Sequence, residues 1–157
     1  MSEFQIRPAT VRDEDAIWSM LEPVFRAGDT YAIDADITRR QALDYWCSAH
    51  AYITDGGTYY IRPNQMGGGN HVCNAGFVTS AQATGRGIAR KMLAHALREA
   101  KRLGFEAMQF NFVLANNARA LDIWQRAGFA EIGRIPQAFH HPRDGKIDAV
   151  ILHKFLD

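Results

Sequence analysis

Thr84-Gly85-Arg86-Gly87-Ile88-Ala89 lies between an apolar run, Ala75 to Thr79, and a long amphipathic segment, and it constrains the fold more than any other stretch. Glycines at 85 and 87 let the backbone turn tightly with no Cβ in the way. The amides that follow become the unpaired N–H groups of a helix N-terminus, where the dipole adds partial positive charge. A strand running into such a turn is a seat for a diphosphate, and Arg86 and Arg90 place formal charge beside it. A Walker-type loop would carry Lys-Ser or Lys-Thr after its last glycine, where Ile88-Ala89 stand. A dinucleotide fingerprint would carry a small residue at position 90, where Arg90 stands. The expected ligand is therefore a phosphorylated carrier of another kind, with a plain nucleotide-binding protein as the competing class.

The segment after the turn predicts a helix. Ile88, Ala89, Met92, Leu93, Ala96, Leu97, Ala100 and Leu103 repeat at three and four residues, and Gly104 stops them. Upstream, Phe4 to Arg7 alternates as a short first strand ended by Pro8, and Thr10 caps a helix whose buried face is Ile17, Met20, Leu21, Val24 and Phe25. Gly28-Asp29-Thr30 breaks that helix, Tyr31 to Asp36 reads as a loop, and Thr38 caps a second helix through Leu43, Trp46 and Cys47. Asp55-Gly56-Gly57 joins two strands, Ala51 to Thr54 and Thr58 to Arg62, as a hairpin. Pro63 to Asn70 is a glycine-rich connector to the strand from His71 to Thr79. Further strands are expected at Glu106 to Leu114, Ala130 to Ile135 and Ile147 to Leu156, with a short helix from Ala118 to Ala127. The order βααβββαβαββ makes a mixed sheet with helices on both faces.

With 157 residues and no linker or repeat, one domain over 1–157 is expected. A net charge of +1 makes no case for nucleic acid or an acidic membrane. The N-terminus lacks an apolar h-region and no apolar run approaches spanning length, which gives a cytoplasmic location by default. Cys47 and Cys73 read as two separate buried thiols, and His140 and His141, being adjacent, would point to opposite faces of a strand. No metal site is expected.

From the strand at His71 onward the chain resembles the GNAT superfamily of acetyl-CoA-dependent N-acetyltransferases. The family's Arg/Gln-x-x-Gly-x-Gly/Ala signature registers on Thr84, Gly87 and Ala89, the register that starts the helix at Ile88, or literally on Gln82, Gly85 and Gly87. Asn117-Ala118-Arg119-Ala120-Leu121-Asp122-Ile123-Trp124, followed by Gly128-Phe129, is similar to the family's N-x-x-A-x-x-L-Y…G-F segment. The resemblance implies an α/β (α+β) fold with a mixed, mostly antiparallel sheet and a V-shaped splay between the fourth and fifth strands. It implies that acetyl-CoA lies in that V. Phe77, Val78 and Thr79 would pair with its pantetheine arm, Thr84, Gly85, Arg86, Gly87, Ile88, Ala89 and Arg90 would hold its pyrophosphate, and Asn117 and Trp124 would flank it. Trp124 stands where the family often has a tyrosine that protonates the leaving thiolate, and an indole has no proton to give near neutral pH. Tyr31 is a candidate replacement acid. If acid chemistry is lost altogether, the alternative is a non-catalytic acyl-CoA-binding or sensor module.

A narrower resemblance rests on His71-Val72-Cys73-Asn74-Ala75-Gly76-Phe77, Phe110-Asn111-Phe112-Val113 and Asp148-Ala149. These residues are similar to the fungal N-acetyltransferases of proline analogues such as azetidine-2-carboxylate, whose active sites are lined by asparagines. The acceptor so implied is the amine of a small molecule, an amino acid or an imino acid, and a homodimer is a possible assembly. Asn74 is the leading catalytic candidate, sharing a face with Gly76, which would leave that face open to an amine. Asn111 interrupts an apolar strand and is expected to be a buried amide that needs partners, at a cost of about 1–3 kcal/mol if it lacks them. An amine of pKa about 8 needs a base at neutral pH, and Asp29, Asp34, Asp36 and Glu106 are all open as candidates.

Overall fold

The computed structural model describes residues 5–157. Its elements run β1 (Arg7–Pro8), α1 (Glu14–Ala27), α2 (Arg39–Trp46), β2 (His50–Thr54), β3 (Gly57–Pro63), β4 (Val72–Thr79), α3 (Ile88–Arg102), β5 (Ala107–Leu114), α4 (Ala118–Arg126), β6 (Ala130–His141) and β7 (Gly145–Phe155). This is the element order expected from the sequence. The strands form one sheet in the order β1-β2-β3-β4-β5-β7-β6, antiparallel except where β4 meets β5.

Both faces of the sheet are covered. Ile17, Leu21 and Phe25 of α1 and Leu43 and Trp46 of α2 pack with Ile53, Tyr60 and Val78 on one face. Met92, Leu93 and Ala96 of α3 and Ile123 and Trp124 of α4 pack with Tyr59, Ile61, Cys73 and Ala75 on the other. Alternation along β3 and β4 sends successive side chains to these two cores.

Local chemistry sets the element ends. Thr38 caps α2 by accepting from the Gln41 N–H at 3.2 Å, while Gln41 Oε1 accepts from the Thr38 N–H at 3.1 Å, a reciprocal capping box. Gly28 ends α1 in the left-handed region at φ 65. The Asp13 carboxylate accepts from the Thr10 N–H at 2.7 Å and pairs with Arg7, tying the start of α1 to the edge strand.

Two strands and one cysteine differ from expectation. Strand β1 includes Pro8, which an edge strand tolerates because one side of its ladder needs no donor; Phe4 lies outside the described residues. Strand β6 runs on past Pro136, because a register shift between Ile135 and Phe139 absorbs the proline as a bulge, with Gln137 at φ 48. Cys47 is exposed, since it follows the last buried turn of α2, whereas Cys73 is buried and its thiol is pushed up to about 12 by desolvation.

Candidate active site

The splay between β4 and β5 is the organising feature. The two strands pair only at Val72 with Ala107 and Cys73 with Met108, while β4 stays paired to β3 as far as Thr79 and β5 to β7 as far as Leu114. Ser80 N–H bonds Gly56 O at 2.9 Å and Asn64 N–H bonds Val72 O at 2.8 Å, which fixes the parity of the β3–β4 ladder. Even-numbered residues of β4 therefore spend their backbone groups on β3, and Ala75, Phe77 and Thr79 turn theirs into the gap. That gap is where an extended carrier arm can pair like an added strand.

At one end of the gap the glycine turn is built as its composition requires. Gly85 and Gly87 have φ of 85 and 74, Gly87 is the N-cap of α3, and α3 begins at Ile88. Two glycines outside the turn allow it to seat closely. A Cβ on Gly56 would meet Ala83 Cβ at 2.6 Å, and one on Gly57 would meet Ile88 Cγ2 and Met92 Sδ at 2.8 Å. The sequence marks these glycines only as hairpin residues, so their second role was not legible there.

Two cavities meet at the gap. One, of about 200 Å³, is lined by Phe77, Thr79, Thr84, Gly85, Gly87, Ile88, Ala89, Asn117 and Trp124, and Arg90 borders an adjoining hollow with Arg119. The other, of about 250 Å³, opens on the α1–α2 side and includes Tyr31, Tyr45, Tyr60, Asn74, Asn111 and Phe112. Phe77, Asn117, Ala120 and Trp124 border both. Most of the residues expected at the carrier are thus brought together. Two are not. Val78 spends its backbone on β3 and its side chain in the α1–α2 core, and Arg86 is exposed outside these cavities.

Asn117 is the N-cap of α4, its Oδ1 accepting from the Ala120 N–H at 3.2 Å. Trp124 is buried, with its ring 5.3 Å from Phe77 and 4.9 Å from Phe110 between centroids, and forms the wall common to both cavities.

Several expectations for the acceptor side need correction. Asn111 is exposed, not buried: its Nδ2 donates to Asn64 Oδ1 at 2.6 Å and its Oδ1 accepts from Gln109 Nε2 at 3.0 Å. The register shift of β5 between Phe110 and Val113 takes it out of the apolar layer. The amide that braces the splay is Asn74. Its Nδ2 donates to Gln109 O on β5 at 3.0 Å, and its Oδ1 accepts from the Tyr60 hydroxyl at 3.0 Å. Nor does Gly76 leave an open face. The register places Tyr60 opposite it, and a Cβ on Gly76 would lie 2.5 Å from Tyr60 Cε1. Tyr60 and Tyr45 were missed by the sequence reading, and only the pairing of β3 to β4 across Gly76 could have found Tyr60.

Tyr31 arrives from the loop after α1, with its ring set edge-on to Phe25 and Trp46. Its hydroxyl donates to Phe77 O at 2.5 Å and accepts from the Phe77 N–H at 3.0 Å. Both backbone groups that Phe77 offers to the gap are therefore taken by one phenol. Burial pushes the Tyr31 phenol well above its usual range, so it holds its proton rather than giving it up. Of the carboxylates, Asp29 pairs with Arg143 at 3.3 Å, and Asp34, Asp36 and Glu106 do not line the cavity. Among the described residues, no Asp, Glu, His, Lys or Arg lines the acceptor cavity, and no three His, Cys, Asp or Glu side chains gather as metal ligands. No helix among them is long and apolar enough to cross a membrane.

A split sheet with a glycine turn opening α3 at one end of the split and a pocket on the α1–α2 side at the other has the layout of a transferase that would bring an acyl carrier to an acceptor. Residues 15–129 match the acetyltransferase (GNAT) family, and the chain belongs to it. It is an N-acetyltransferase dependent on acetyl-CoA. The chain is 30% identical over 148 residues to the N-acetyltransferase aca1 of Schizosaccharomyces pombe, covering 79% of this chain and 71% of that one. A GCN5-related N-acetyltransferase from Kribbella flavida superposes with a TM-score of 0.93 at 35% identity over 98% of both chains. A GNAT superfamily phosphinothricin acetyltransferase from Sinorhizobium meliloti, solved in complex with acetyl-CoA, shares the fold at a TM-score of 0.85 and 14% identity, over 99% of this chain and 89% of that one.

Proposed function

We propose that this chain, as one domain over 1–157, transfers the acetyl group of acetyl-CoA to the amine of a small molecule, an amino acid, an imino acid or a simple amine. The observation that carries this is the meeting of the two cavities at Phe77, Asn117 and Trp124. A carrier seated at the glycine turn would deliver its thioester into a pocket of about 250 Å³, a volume that suits a small amine. The asparagines of that pocket, Asn74 and Asn111, support the narrower resemblance to the proline-analogue branch.

In this reading the pyrophosphate sits on the amides after Gly85 and Gly87, with Arg90 beside it, and the pantetheine arm pairs with the gap-facing backbone of β4. The neutral amine nitrogen attacks the thioester carbonyl carbon, the C–S bond breaks, CoA leaves as its thiolate, and the proton shed by the new amide nitrogen passes to that thiolate or to solvent. One preorganised backbone N–H at the developing oxyanion is worth about 3–4 kcal/mol in the transition state. Asn74, whose amide joins β4 to β5 at the apex of the splay, orients the amine. Trp124 packs the arm and supplies no proton.

The test is acetyl-CoA turnover against a panel of amino acids, imino acids and amines, read as free thiol released. Asn74→Ala should lower kcat strongly while acetyl-CoA affinity holds, because the side chain acts on the acceptor. Acetyl-CoA binding with no turnover on any small amine would overturn the reading of this pocket.

A further inference from the structure

Among the described residues, no carboxylate or imidazole lines the acceptor pocket, yet its amine must lose a proton before it can attack. What the pocket has instead is a row of hydroxyls leading outward. Asn74 Oδ1 is 3.0 Å from Tyr60 Oη, and Tyr60 Oη is 3.2 Å from Tyr45 Oη, where either can donate. Tyr60 is 4% exposed and Tyr45 37%, so the row begins in the pocket and ends at solvent. Arg62 lies over both rings, its Cζ 4.0 Å from the Tyr60 centroid and 4.1 Å from that of Tyr45. Its Nε and Nη2 are buried with no hydrogen-bond partner, so the guanidinium turns its charge on the two phenols.

We infer that Tyr60 and Tyr45 form the proton exit of the acceptor site, with Arg62 as a positioning cation, an assignment that rests on the acetyltransferase reading of this pocket. When an ammonium enters, the Tyr60 hydroxyl turns from Asn74 to Tyr45, and Asn74 Oδ1 accepts one N–H of the amine. In one concerted shift the ammonium passes a proton to Tyr60 as Tyr60 passes its own to Tyr45 and Tyr45 passes one to a solvent base, water or buffer, so neither phenol stands free as phenolate. The sum is one proton moved from the ammonium to the solvent base, with both phenols restored and the nitrogen lone pair free to form the C–N bond. Negative charge grows briefly on the phenol oxygens, which Arg62 favours, and the same cation disfavours an ammonium nearby. Burial raises the Tyr60 phenol above its usual range, so it relays a proton rather than standing as a base. The groups facing Tyr60 are Tyr45 from α2, Tyr31 from the loop after α1, Arg62 from its own strand and Asn74 from β4.

The experiment is a pH profile of kcat/KM for the best amine, from pH 6 to beyond the pKa of that amine, for the parent, Tyr45→Phe and Tyr60→Phe. Both variants should fall about a hundredfold at pH 7 and rejoin the parent above the pKa of the amine, where the amine arrives already unprotonated and no proton needs to leave before attack. Acetyl-CoA affinity by calorimetry should not change. Equal losses at every pH, or none at pH 7, would overturn the relay. Tyr45 is exposed, so its variant keeps the test intact even if Tyr60→Phe folds poorly. A parent that acetylates no amine at any pH points instead to failure of the acceptor reading itself.

Discussion

The contact between Tyr31 and Phe77 gives a prediction whose sign is unusual. Tyr31→Phe removes one hydroxyl and two hydrogen bonds, at 2.5 and 3.0 Å, from the exposed edge of β4. At a net 0.5–1.5 kcal/mol each, the carrier-free protein should lose about 1–3 kcal/mol. For a chain of this length that lowers the melting temperature by about 2–4 °C per kcal/mol. The pantetheine arm is expected to use the same two backbone groups, so the phenol must leave Phe77 before the arm can pair. The bound state of the variant then loses nothing that the parent's bound state still had, and the cost falls on the free protein alone. Acetyl-CoA should therefore bind about three- to tenfold more tightly, a gain of up to about 1.4 kcal/mol, limited because water can reach the vacated groups. The assay is calorimetric titration with acetyl-CoA beside thermal melts in its presence and absence. Weaker binding by the variant would refute the argument, because it would show that the hydroxyl touches the carrier instead of occupying its place.

Gly76→Ala should cost about 1–3 kcal/mol by pushing the Tyr60 ring away from Asn74, and should lower acceptor turnover while acetyl-CoA affinity is kept; unchanged turnover would mean that the Tyr60–Asn74 bond is dispensable. Trp124→Phe should stay within about tenfold of the parent in turnover, a change of roughly 1.4 kcal/mol, because no proton comes from the indole; a thousandfold loss with intact binding would show that the indole takes part in chemistry. Glu99 is held at about 2, against 4.5, chiefly by its bonds to Arg102 and also by the Tyr52 hydroxyl. A carboxylate depressed on folding adds stability above its unfolded value and loses it as the pH falls toward its folded one. The denaturation midpoint of Glu99→Gln should thus lie below that of the parent at pH 7 and approach it between pH 4.5 and about 2; a pH-independent gap would show that the charge is not what Glu99 contributes.

Local sequence determined a good deal. Gly85 and Gly87 read as a left-handed turn because few other residues reach that backbone, and the stripe from Ile88 to Ala100 read as a helix because its period leaves one face to bury. Thr38 and Gly28 marked helix ends by the same local logic, and the element order followed. The position of Trp124 in the wall of the cleft was legible from the motif around Asn117.

Beyond the β2–β3 hairpin, what the sequence could not decide was the register and facing of partners distant along the chain. Which face Asn111 takes depends on a register shift against β7, so an amide that reads as buried is exposed. Whether Gly76 opens a pocket depends on the residue opposite it on β3, and that residue is Tyr60. Pro136 ends a strand by its local chemistry, yet the ladder to β7 continues beyond it through a bulge. Tyr31 meets Phe77 across 46 residues, and no spacing rule reaches that far. Turns and helices are set by neighbours along the chain, but the pocket is set by partners across the sheet, and only tertiary structure chooses those.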